Sequence, residues 1–440
     1  MRREFAAAIA VVVICLCLFN LERGRAGLEI SGLNVGTAPA TLYRLPGSQG
    51  PVVVVAHGFA GSRQIMQAYS LTLAQAGYQV RAFDFEGHGS NPMPMSGDVT
   101  SVDGTTALLV AETRRVIAAA RALPGGAGGV ALLGHPMATD IILRAANAEA
   151  QSGQPITAVV AISMFSQAVT AQMPPRLLVI SGEWESGLRQ AALTTLRTVQ
   201  PEARENQTVT SAGVIRRDVV APQVEHVSAR FSPTAISQAR AWLDTAFGRT
   251  SPTPIVAPGP WILALLFGIV ALIGPVVLLL PQVACNAMTP PEGGAAERVP
   301  PVSAAAPQTL SANRFLAAIL VPSIVMPVVL PHLYSRFLPV LVANYLLLHL
   351  AAFGAIQPVI LRVWPMRGPR DRVGPAPWAI AALVLWGIVV FGLALDRYAA
   401  NVWPTPERLV IITALALGTV PFMAVGQGQA SPAPDPRQSR

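Results

Sequence analysis

The stretch Val130-Ala131-Leu132-Leu133-Gly134-His135-Pro136-Met137-Ala138-Thr139-Asp140 decides the fold. Residues 129–133 form a short apolar run, the length of a buried strand. The chain then turns sharply through Gly134, His135 and Pro136. A helical spacing of apolar residues follows over 138–148. Proline fixes φ near −65° and lacks an N–H, so Pro136 suits the first turn of a helix. The unit reads strand, tight turn, helix.

Working outward, the same alternation recurs. Residues 51–56 (Pro-Val-Val-Val-Val-Ala) are a continuous β-branched run, as expected of a strand buried on both faces. Helical spacing over 64–76 ends at Gly77, a C-cap signal. Residues 78–85 read as a strand, 102–123 as a helix closed by Pro124-Gly125-Gly126. Beyond the opening stretch, 156–162 and 176–180 are strands, 187–199 a helix, 217–220 a short strand and 234–247 a closing helix. Residues 28–35 and 41–45 look like two leading strands. Strands alternating with helices of this length imply a doubly wound, mostly parallel sheet, an α/β domain over residues 28–248. The dozen or so residues between Met164 and Arg176 leave no room for a helical lid domain.

Composition separates this domain from the rest of the chain. Of 440 residues, 52% are hydrophobic and only 12% charged, and the mean hydropathy is +0.48. A charge deficit of that size places much of the chain in lipid. The net charge is +8, with arginine as the sole strong cation. The arginines are scattered over loops instead of lining one helix, which argues against nucleic-acid binding. Cys15 and Cys17 lie in the first apolar run and Cys285 in an expected loop. They offer neither a disulfide framework nor a zinc spacing, so no metal or cofactor is expected.

The expected organisation follows from these shifts. Residues 1–27 are an anchor or signal, with Arg2 and Arg3 ahead of an apolar run, and an uncleaved anchor is favoured. Residues 249–260 are a Ser/Thr/Pro linker. Residues 261–426 hold five spans, at 261–280, 315–330, 337–361, 377–395 and 409–425, with a Pro/Ala-rich linker at 282–314. Residues 427–440 are a tail. With the α/β domain outside, Arg362, Arg367, Arg370 and Arg372 fall inside, as the positive-inside rule asks. The expected setting is an integral protein of a bacterial inner membrane, its α/β domain on the extracytoplasmic side.

Five segments carry a resemblance to a known family. They are residues 53–61 with His57-Gly58-Phe59, Asp84-Phe85-Glu86-Gly87-His88-Gly89, the opening stretch, residues 177–185 ending Gly182-Glu183-Trp184-Glu185, and Val224-Glu225-His226-Val227. In this order they resemble the α/β-hydrolase fold family, whose serine esterases and lipases use nucleophile, acid and histidine in that chain order. The resemblance implies a nucleophile elbow, G-x-S-x-G, at Gly134-His135-Pro136-Met137-Ala138. It implies Glu185 as the orienting acid, with Glu183 as a rival, and His226 as the base. The backbone N–H groups of Phe59 and Met137 would form the oxyanion hole. The ligand would be a small acyl or ester compound.

Pro136 departs from this pattern. It has no hydroxyl or thiol to attack a carbonyl. An elbow nucleophile takes a strained, sparsely populated backbone conformation, typically at positive φ, which proline cannot adopt. The elbow is therefore expected to relax and the Met137 donor to be re-aimed. Ser163 and Ser166, after the next strand, are the nearest substitute nucleophiles. His57, His88, Asp84 and Asp140 are expected to shape loops and turns. Two other classes stay open: a catalytically inactive ligand-binding or sensing module, and a transporter-like bundle with Asn344, His349 and Gln357 in one span.

Overall fold

The computed structural model describes residues 2–287, 312–333, 337, 338, 340–363 and 377–428. The chain divides into two compact units, Met1–Leu279 with Ala382–Trp403, and Leu280–Ala381 with Pro404–Arg440.

The first unit is built on one nine-stranded sheet. Its strands are β1 (Glu29–Val35), β2 (Ala38–Arg44), β3 (Val52–Ala56), β4 (Gln79–Phe83), β5 (Val130–Gly134), β6 (Ala158–Ile162), β7 (Arg176–Gly182), β8 (Thr208–Ser211) and β9 (Val214–Ala221). They lie in the order β1-β2-β4-β3-β5-β6-β7-β9-β8. β4, β3, β5, β6, β7 and β9 are parallel, and the two edges close with antiparallel partners. Every residue of β3, β4, β5 and β6 is buried. This is why their sequences are continuous apolar runs and do not alternate.

Helices cover both faces. α1 (Arg2–Arg23) precedes the sheet. α2 (Gln67–Gln75) and α6 (Pro233–Ala246) pack on one face; α3 (Ala107–Arg121) and α4 (Met137–Gln151) pack on the other. α5 (Ser186–Arg197) lies between β7 and β8. Capping explains where α6 starts: the Ser232 hydroxyl accepts the Ala235 N–H, and Pro233 fills the first turn.

Three sequence expectations change. The helix expected from residue 102 begins as a single π turn over Val102–Thr106, capped by Ser101, and α3 proper starts at Ala107. The short strand expected at 217–220 is the eight-residue β9, and it pairs with the unanticipated β8. Cys285 lies inside α7 (Gly259–Ala287), not in a loop, so the segment expected as a linker from 282 is helical to 287. The rest of that linker, most of the 362–374 arginine cluster and the tail lie outside the described residues.

α7 is followed by α8 (Ala312–Val329), α9 (Leu341–Val363), α10 (Pro377–Leu385), a π turn over Trp386–Phe391, α11 (Gly392–Tyr398) and α12 (Pro406–Gly428). Among the described residues, two helices are long and apolar enough to cross a membrane, Glu4–Arg23 and Ile380–Tyr398; Gly259–Ile273, Ile319–Val329 and Val342–Gln357 are shorter apolar stretches. Within the first unit, Cys17 and Leu21 of α1, Ile262 and Leu265 of α7, and Tyr398 of α11 share one apolar cluster. Glu22 closes it by accepting from Arg397 Nε and Nη2 at 2.5 and 2.6 Å and from the Tyr398 hydroxyl at 2.5 Å. In the second unit, α9 packs on α8 and α12. Asn344 turns its amide onto Leu338 N, Leu338 O and Val340 O at the start of α9. That is a local cap, and it leaves the transporter reading with one intramembrane polar group fewer.

β9 carries two buried charged residues on the face opposite Val219. Arg216 is fully buried, with Nη2 donating to Thr170 O at 2.5 Å. Asp218 accepts the Asn206 N–H at 3.0 Å on one oxygen, while Oδ1 has no partner. Burial pushes the Asp218 carboxyl up to about 6 from its ordinary 3.8. The folded state therefore holds this proton more tightly than the unfolded chain, and stability falls as pH rises from about 4 through 6. The ionised form costs the folded state about 3 kcal/mol at most. Asp218→Asn is expected to be more stable than the natural chain at pH 7, and to lose that advantage below pH 4. Guanidinium unfolding of the full chain in detergent at the two pH values measures this; a pH-independent gap would contradict it.

Candidate active site

The C-terminal ends of the parallel strands bring together the segments that the sequence singled out. β5 delivers His135 and Pro136, β7 delivers Glu185, and β9 delivers His226 on the loop after Ala221. Such strand ends are where open α/β sheets hold their ligands.

Glu185 and His226 meet. His226 Nδ1 lies 2.5 Å from Glu185 Oε1. Glu185 Oε2 accepts the Gly182 N–H at 2.6 Å and the Ser163 hydroxyl at 2.8 Å. Three donors converge on one buried carboxylate and fix its plane. The Nδ1–H donated to it leaves His226 Nε2 as the ring's free acceptor, the tautomer a general base needs. Gly182 permits this approach: a Cβ there would sit 2.6 Å from Val224 O. The rival Glu183 is exposed and accepts the Gln223 N–H at 2.7 Å, which assigns it to the loop.

His135 ties the turn at Pro136 to His226. Its ring is buried, and its Nε2 lies 3.0 Å from His226 O. The two imidazole rings are 5.1 Å apart. Burial drives His135 well below the usual histidine range, so it stays neutral and donates through Nε2. This role was not read from the sequence; the signal available was a histidine directly before the turn.

Pro136 stands at the elbow with φ −75° and ψ −37°, as the N-cap of α4. These are ordinary helical values. The strained conformation of an elbow nucleophile is absent here, as the proline ring dictates. Met137 opens α4, so its N–H is one of the first-turn donors that a helix leaves without an internal partner. Gly58 lies directly against the ring: a Cβ at that position would overlap Pro136 Cδ. The Phe59 loop thus packs on the elbow.

The remaining candidates take structural positions. Ser163 is buried at φ 52° and directs its hydroxyl to Glu185. Ser166 donates to Asp140 at 2.6 Å, and Asp140 also pairs with Arg144. The structure places both serines on carboxylates. His57 is buried and pulled down to about 4 by burial. Its Nδ1 donates to Gly58 O at 2.8 Å and its Nε2 accepts the Phe85 N–H at 3.1 Å, joining the loops after β3 and β4. Asp84 accepts Arg63 N, the Arg63 guanidinium, and Ser90 N and Oγ. Among the described residues, no cluster of three His, Cys, Asp or Glu could hold a metal ion.

Residues 47–229 match the family model described as serine aminopeptidase, S33. Sheet order, site order and this match agree. These residues carry an α/β-hydrolase fold. The chain is similar to the dienelactone hydrolase from Anabaena variabilis, at 16% identity over 50% of this chain and 98% of that one, with a TM-score of 0.38. It is similar to the Pyrobaculum calidifontis esterase at 14% identity over 55% and 92%, TM-score 0.38. It is also similar to a bacterial membrane phospholipase A at 14% identity over 54% and 92%, TM-score 0.35. No curated protein matches the chain.

Proposed function

We propose that this is an integral membrane protein whose α/β-hydrolase domain has lost the acyl-transfer step of a serine esterase and holds a small acyl or ester-type ligand. One observation carries the reading. Pro136, at helical φ and without a heteroatom, occupies the nucleophile position, its neighbour His135 lies 3.0 Å from His226 O, and His226 is paired with Glu185. Acyl transfer needs an attacking oxygen, a base for its proton and donors for the developing oxyanion. The base and its orienting acid are retained; the attacking oxygen is not. In a triad enzyme, removing the nucleophile costs about 10⁶ in kcat and leaves a residual from binding and oxyanion stabilisation.

The α1, α7 and α11 cluster supports an anchor that is retained, and Arg362, Arg367, Arg370 and Arg372 support a domain on the extracytoplasmic side. With detergent-solubilised full chain and p-nitrophenyl esters, turnover is expected to match that of His226→Ala. Turnover that needs His226 would defeat the reading.

A further inference from the structure

Four large apolar side chains stand in solvent on loops at the sheet edge that carries the Pro136 turn. Phe59, Phe165, Trp184 and Val227 are 65, 74, 66 and 54% exposed. Each lies in the first loop after a parallel strand: β3, β6, β7 and β9 respectively. Together with β5 these strands are consecutive in the sheet. The row therefore runs over four inter-strand steps, roughly 19 Å. Large exposed apolar side chains at four of five adjacent strand ends mark an interaction surface.

The same sheet edge is where the apolar helices attach. Phe231, in the turn that follows Val227, packs into the cluster of Leu21, Ile262, Leu265 and Tyr398. α7 starts against it, since a Cβ at Gly259 would sit 2.9 Å from Phe231 Cβ. On the other side of the site, the Asn401 N–H donates to Ser62 Oγ at 3.1 Å, and Asn401 Nδ2 to Gly89 O at 3.2 Å. Phe59 is three residues from one attachment and Val227 four from the other. Even a fully extended chain places them within about 11 and 14 Å of the helix ends. The two interfacial layers of a bilayer add about 10–15 Å to a hydrocarbon core of about 30 Å.

Charge on these loops narrows the surface. Glu183 and Glu225 flank Trp184 and Val227, and each already accepts backbone donors: Gln223 N for the first, Val227 N and Ser228 N for the second. Arg230, which donates to Val227 O at 3.1 Å, is the cation of the His226 loop. Two acids against one arginine suit a zwitterionic leaflet better than an anionic one.

We propose that this row lies on the bilayer that holds the protein's own helices, with Phe59 and Val227 seated in the headgroup layer and the site opening onto lipid. The inference rests on the membrane-anchored reading above. The test places a nitroxide on Phe59→Cys, Val227→Cys and Ser211→Cys in a full chain whose three native cysteines are replaced by alanine. Ser211 ends β8 at the opposite edge of the sheet and is exposed. The chains are reconstituted in phosphatidylcholine nanodiscs, and relaxation by oxygen is compared with relaxation by a nickel chelate. The oxygen-to-nickel ratio is expected to be several-fold higher at 59 and 227 than at 211. Equal ratios in a chain that stays with lipid overturn the seating and leave the anchor intact. Shielding from both reagents would assign the row to a second protein copy and also overturn it. A chain that separates from lipid sinks the anchor and the seating together.

Discussion

A Pro136→Ser chain is expected to react with a fluorophosphonate probe, and the reaction is expected to vanish in Pro136→Ser combined with His226→Ala. The exchange restores the hydroxyl. It also releases φ, because serine can leave the helical value of −75° that the ring imposes. Reaching the strained elbow conformation costs about 1–3 kcal/mol. The surroundings are compatible with it: Gly58 presents no side chain to position 136, and the Glu185–His226 pair is already assembled at 2.5 Å. The expected gain is from no labelling to stoichiometric labelling on the introduced serine, seen by fluorescence in a gel. A folded Pro136→Ser chain that stays unlabelled would mean that the loops have drifted out of working geometry.

Asp84→Ala is expected to cause the largest loss of stability among single changes near the site, about 3–5 kcal/mol, the cost of breaking a buried ion pair from one side. Asp84 is fully buried and receives Arg63 N, the Arg63 guanidinium and both Ser90 donors. Its removal leaves the Arg63 charge without its carboxylate and unties the loop after β3 from the loop after β4. The first of these loops carries Phe59, whose N–H is a candidate oxyanion donor. Glu86→Ala is the control: its carboxylate accepts from Ser96 in an exposed setting, so the change should stay within about 0.5 kcal/mol. Thermal unfolding of the full chain in detergent compares the two. Equal midpoints would remove Asp84 from its organising position.

Much of the domain was legible because parallel strands buried on both faces leave an unmistakable trace. Val52–Ala56 and Val130–Gly134 are such runs, and the helices between them follow the apolar period. The pairing of Glu185 with His226 was legible because each follows a strand end at the place the family resemblance implies. β8 was not. Its hairpin turns through Ala212 and Gly213, both at positive φ. An alanine in that seat lacks the Asn or Asp chemistry that announces such a turn. The π turn before α3 was hidden for a related reason: Gly104 breaks the helical backbone at ψ −119° while the apolar spacing continues across it. The contacts of Ser163 with Glu185, and of His135 with His226, join residues 22 and 91 positions apart. Spacing along the chain carries no record of such pairs. The relaxed elbow, by contrast, could be derived from one residue, because the proline ring fixes the torsion wherever it stands.

The proposed loss of the attacking atom is tested most directly by the intact mass of the natural full chain after exposure to excess fluorophosphonate. An unchanged mass is expected, with His226 and Glu185 in place. A mass increase of one phosphonyl group that is lost in His226→Ala would show a working nucleophile elsewhere in the site and contradict that loss.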